Sequence, residues 1–146
     1  MTLENLLGLS LEAVQADALS IRRLLEAAGR SLNDARLPTI SSEGRFDMAY
    51  KAIMQAANAA LQANGYRTLT SKPGHHQTMI QSLPRTIGLE PTTMVLLDTL
   101  RKQRNVIDYS GDVVSASMAA EAVKQAELLL ARVECWLREN KAHLSV

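Results

Sequence analysis

Aromatic residues are nearly missing from this 146-residue chain, which has one Trp, one Phe and three Tyr, 3% of the sequence. Its core must therefore be built from Leu, Ala, Val, Ile and Met, the material of helix-on-helix packing. β-Branched runs are equally scarce, so strands are not expected. Cysteine occurs once, at Cys135, which excludes an internal disulfide and suits a reducing compartment. Beside Trp136 on a helical stripe, Cys135 reads as a small buried hydrophobe. Charge of one sign is lacking too: 16 basic residues face 15 acidic ones, a formal +1. That balance excludes a chain-wide pull toward nucleic acid or anionic lipid, so any such binding needs a local patch. No stretch approaches 18 uninterrupted apolar residues, and no basic segment precedes an apolar run at the N-terminus. A membrane role is not expected, and a cytoplasmic location is. The chain has no Gly-rich phosphate loop, dinucleotide fingerprint, nucleophile elbow or zinc-ligand spacing, so neither a cofactor nor a metal is expected. Residues 1–146 read as a single domain, able to bury roughly two-thirds of its unfolded surface.

What is present is helical periodicity. From Ser10 as N-cap, apolar residues fall at Leu11, Val14, Ala18, Ile21, Leu25, Ala28 and Leu32, in steps of three and four, and predict one long helix ending before Leu37-Pro38. Ser41 and Ser42 open a second, Ala-rich stripe through Phe46, Tyr50, Ile53 and Leu61 that closes at Asn64-Gly65, its small residues allowing another helix close. Residues 66–74 read as a loop. His75 to about Leu83 reads as a short helix, interrupted by Pro84 and Gly88. Pro91 begins a fourth helix with Met94, Leu97, Leu100, Arg104 and Ile107 on one side, ending at Gly111. Asp112 is placed to cap the last, whose inward face runs from Val114 through Leu129 and Val133 to Trp136. The expected fold is all-α, an antiparallel up-and-down four-helix bundle with an additional short helix.

The chemistry concentrates in Leu100–Tyr109. Arg101, Lys102 and Arg104 form a local basic patch at a helix end, Asn105 follows, and Tyr109 lies four residues further. A guanidinium is always charged and offers paired donors to phosphate oxygens, and an amide adds another. This pattern, with the aromatic-led second helix, the closure at Gly65, Gly74-His75-His76 and the long final helix, resembles the HEPN domain family over about residues 41–136. In that family an Arg, a polar residue, a short spacer and a His form a metal-independent ribonuclease site, and Tyr109 stands where the His would be. The resemblance implies a homodimer whose two Arg-bearing helix ends face a shared cleft. It also implies RNA cleavage, nucleotide binding, or toxin–antitoxin pairing with a nucleotidyltransferase-like protein.

On that basis Arg104, Asn105 and Tyr109 are the catalytic candidates, and Arg101, Lys102, Arg104 and Asn105 the binding ones. A tyrosine of ordinary pKa ~10 is ionised on the order of 0.1% at neutral pH and is a poor proton acceptor. Binding of RNA or a nucleotide, with ribonuclease activity impaired or absent, is the leading expectation. Other readings stay open. Arg104 and Asp108, four apart, can form a surface ion pair. His75 and His76 can supply the missing imidazole if the short helix lies near Arg104; being adjacent, they point about 100° apart and read first as solvent-facing or capping residues. The protein can equally be a non-catalytic module that holds a partner. A helix-turn-helix is disfavoured, because its basic residues would sit at the wrong end of the reading helix.

Overall fold

The computed structural model describes residues 2–71 and 73–145. Lys72, inside the expected loop at 66–74, lies outside the described residues. The central element is α2 (Ser42–Ala63), whose seven buried alanines, Ala49, Ala52, Ala56, Ala57, Ala59, Ala60 and Ala63, leave little but backbone between it and its neighbours. It packs most extensively against α1 (Ala18–Ala35) on one side and α6 (Ala116–Asn140) on the other. Between α2 and α6 the chain runs through α3 (His75–Gln81), α4 (Leu83–Thr86) and α5 (Pro91–Ser110). Helix α5 rests on α2, α3 and α4. It makes little backbone contact with α6, and the space between them is an open groove lined by Leu96, Leu100, Gln103, Met118 and Gln125. The fold is an all-α bundle, as expected.

The helix starts correct the sequence reading at both ends of the chain. Helix α1 begins at Ala18 and not at Leu11. Asp17, in extended conformation, accepts from the Ser20 N–H at 3.0 Å and from the Ser20 hydroxyl at 2.6 Å. These bonds, the hydroxyl's first, hold the Asp17 carboxyl below its ordinary value. Leu11 belongs to a short strand, β1 (Leu11–Ala13), antiparallel to β2 (Tyr66–Thr68), with Leu11 opposite Thr68 and Glu12 opposite Arg67. Strands were not expected, and residues 66–68 were read as loop. Three residues on each side are too few to show periodicity, and fully buried Leu11 anchors the pair. Glu12 and Arg67 are ion-paired across it.

Helix α6 is likewise capped later than expected. Ser115, not Asp112, accepts from the Met118 N–H at 3.1 Å, while Val114 is buried in the extended approach to the helix. The remaining boundaries follow the sequence. Ser41 accepts from the Gly44 N–H at 3.0 Å to start α2, and Gly111 takes φ 72° to end α5, a left-handed conformation in which a Cβ would be strained. The short third helix splits at Ser82, with Pro84 in the first turn of α4. Cys135 is half-buried and not a core residue, its thiol donating to Glu139 Oε1 at 3.4 Å one turn on.

Candidate functional site

Helix α2 carries Asp47, Tyr50, Lys51, Met54, Gln55 and Asn58 at helical spacing along one side of a cavity of about 510 Å³. Opposite, α5 contributes Arg104, and the first turn of α3 contributes His75 and His76. The Arg104 guanidinium lies over the Tyr50 ring, 4.8 Å from its centroid, in cation–π geometry. Its Nε is 3.7 Å from Asp47 Oδ1, an ion pair too long for a hydrogen bond, and that buried N–H has no acceptor among the described residues. The expected alternative pairing with Asp108 is therefore not made; Arg104 turns inward to α2.

The histidines are not free surface residues, contrary to their first reading. Tyr50 Oη and His76 Nδ1 are 3.2 Å apart, and the two imidazoles meet edge-on with centroids 4.7 Å apart. Burial, followed by the nearby His75, Arg104 and Arg101, holds His76 below its ordinary pKa of 6.5. Burial also raises the Tyr50 phenol above 10.0, outweighing Arg104 and Arg101, which favour the phenolate. The short helix reaches Arg104 because α3 packs on both α2 and α5.

The other residues of the basic patch divide. Arg101, its side chain 14% exposed, donates from Nε to Asp98 Oδ1 at 2.7 Å, and Lys102 Nζ stands 3.7 Å from the other Asp98 oxygen. Asn105 is exposed, and Tyr109 is 94% exposed; neither lines the cavity. The cavity thus unites Arg104, His75 and His76 from the sequence candidates. It adds Tyr50, read from the sequence as part of an apolar stripe, and Asp47, which the sequence did not single out; both lie more than fifty positions from Arg104. Their only sequence signal is that 47, 50 and 54 share a face of α2.

A family model described as HEPN domain matches residues 21–136. The chain belongs to the HEPN domain family. The match begins already within α1 and runs to Trp136 near the end of α6, so it takes in every element that builds the cavity of this HEPN domain. No curated protein and no solved structure matches the chain. Membership places this HEPN domain in a helical family concerned with nucleotides and RNA. Among the described residues, no helix is long and apolar enough to cross a membrane, and no cluster of three or more His, Cys, Asp or Glu can hold a metal ion.

Proposed function

We propose that this HEPN domain binds a phosphate of single-stranded RNA or of a nucleotide in the cavity between α2, α3 and α5, and works as a homodimer. The observation that carries this reading is the Arg104 guanidinium over the Tyr50 ring, its buried Nε–H without an acceptor among the described residues, beside two histidines. A phosphate oxygen there supplies the missing acceptor and a closer counter-charge for Arg104 than Asp47 at 3.7 Å, while Arg101 keeps its own partner in Asp98. Exposed Asn105, next to Arg104 on α5, extends the contact along a longer strand; Lys102, two positions before Arg104, lies roughly 160° around the helix from it and does not. Binding of single-stranded RNA and of nucleotides is expected to weaken linearly in log salt, and Arg104→Ala to weaken it at least 10-fold and lower the salt slope by about 1. A folded Arg104→Ala protein that binds as its parent does would remove the site.

In this reading ribonuclease activity is impaired or absent, since Tyr109, in the position of the family's His, is solvent-exposed and apart from the cavity. One observation favours the alternative, a metal-independent ribonuclease. His76, held neutral by burial next to Arg104, suits a proton acceptor. In that mechanism His76 takes the proton of a ribose 2′-hydroxyl, the 2′-oxygen attacks phosphorus, Arg104 steadies the charge on the phosphate oxygens, and the P–O5′ bond breaks as the departing 5′-oxygen takes a proton passed on by His75. Metal-free cleavage of an RNA panel that is lost in Arg104→Ala and in the double variant His75→Ala, His76→Ala, at unchanged helical content, would establish it. Silence from the folded parent leaves the binding role.

A further inference from the structure

The amides of Gln55 and Asn58 line the cavity beyond Tyr50, and each has its oxygen already engaged. Ser31, buried between α1 and α2, donates its hydroxyl to Gln55 Oε1 at 3.0 Å, and Gln62 Nε2 donates to Asn58 Oδ1 at 3.2 Å. Each oxygen keeps one further lone pair, and among the described residues the NH2 group of each side chain is wholly free to donate. Three residues apart on one helix, the two amides are neighbours on the cavity wall. They lie five and eight residues beyond Tyr50, roughly 8 and 12 Å along α2 from the ring under Arg104. Between them and the Arg104 end, the buried thioether side chains of Met54 and Met79 give an apolar, polarizable surface.

We infer that this end of the cavity is a base-reading subsite that selects a nucleotide by its carbonyl acceptors, and that it favours uracil over adenine. The inference rests on the proposed phosphate site at Arg104. With the phosphate there, the base lies against Met54 and Met79 with its edge toward Gln55 and Asn58. Uracil carries two carbonyl oxygens, O2 and O4, on either side of N3–H, one for each free amide donor; the hydroxyl of Thr70, which also lines the cavity from the segment before α3, is able to accept N3–H. Adenine has no carbonyl: N1 or N7 can accept from one amide, but the exocyclic amine beside it would meet the second NH2 donor against donor and leave that half-buried group unpaired. Cytosine keeps O2 but replaces O4 with an amine, and falls between the two.

The test is calorimetric titration of the full chain with UMP, AMP and ribose 5-phosphate, repeated with Asn58→Ala, Gln55→Ala and Arg104→Ala after checking equal helical content. UMP is expected to bind at least 10-fold more tightly than AMP. Asn58→Ala and Gln55→Ala should each reduce that preference while leaving ribose 5-phosphate unaffected, and Arg104→Ala should weaken all three ligands. Equal, Arg104-dependent binding of UMP and AMP would overturn the base subsite and leave the phosphate reading standing. A uracil preference that survives both amide substitutions would also overturn it. If none of the three binds the folded parent, the phosphate site fails and the subsite with it.

Discussion

At the scale of single residues, His76 couples the site to pH. Burial disfavours its imidazolium, so its pKa in the folded chain lies below the 6.5 it returns to on unfolding. Between those two values the unfolded chain binds a proton that the folded chain does not, and stability rises with pH there. The melting temperature is accordingly expected to fall as pH drops from 7 through 6.5 toward the folded value and then to level off. His76→Gln should flatten that part of the profile; an identical slope in parent and variant would count against the burial argument. A phosphodiester at Arg104 favours the imidazolium, so its binding should tighten as pH falls toward the lowered His76 value of the free chain. Asp98 supports the site from behind. Its side chain is 10% exposed and holds Arg101, so Asp98→Ala leaves a mostly buried guanidinium without its partner and should cost on the order of 3 kcal/mol in denaturant unfolding. Arg104 was legible in the sequence because a basic cluster beside Asn and a helix end is a local pattern. Its partners were not, because Tyr50 and His76 reach it only through the packing of α2, α3 and α5, which no spacing along the chain reports.

At the scale of elements, the helices were legible and two of their starts were not. Before α1 the chain offers Ser10 and Asp17 as caps, and before α6 Asp112 and Ser115; all four are good capping types. The decision is tertiary. Leu11 and Val114 are buried as extended residues, and continuing a helix through either would pull it from its place in the core. Asp17→Ala and Ser115→Ala are expected each to lower the unfolding midpoint measurably, as loss of a side-chain cap does. Ser10→Ala and Asp112→Ala should stay within roughly 0.5 kcal/mol, as surface changes do. Midpoints of urea unfolding for the four variants separate the two assignments, and the opposite ranking would restore the earlier starts. The β1–β2 pair escaped notice for a related reason: three-residue strands carry no period of their own, and the pairing of Leu11 with Thr68 joins segments more than fifty positions apart.

At the scale of the whole molecule, the order and number of the main helices follow from periodicity and punctuation, but the way α5 stands away from α6 does not. That divergence leaves apolar side chains uncovered. Val95 and Val106 on α5, Tyr109 at its end and Val113 just beyond are all exposed; Leu7, Leu9, Leu19, Leu37, Leu96 and Leu128 are exposed too, but Tyr109 and Val113 are the barest of them all. Val106 follows Arg104 by two positions and so projects roughly 160° away from it around the helix. The proposed homodimer, with this outer face as its seam, therefore places each Arg104 cavity within its own subunit and away from the seam, a different arrangement from the shared cleft that the family resemblance suggested. Static light scattering should give about twice the 16.0 kDa chain mass, and Val106→Glu, which puts a charge into the seam, should return it to one chain with unchanged helical content. Because the seam and the cavity use opposite sides of α5, the monomeric variant should keep Arg104-dependent nucleotide binding within about 3-fold of the parent, a change of roughly 0.6 kcal/mol. Binding that disappears together with the dimer would mean instead that the partner copy completes the cavity. A parent that is itself monomeric would assign the apolar face to a different chain, and a nucleotidyltransferase-like protein would then be the first candidate to test against it.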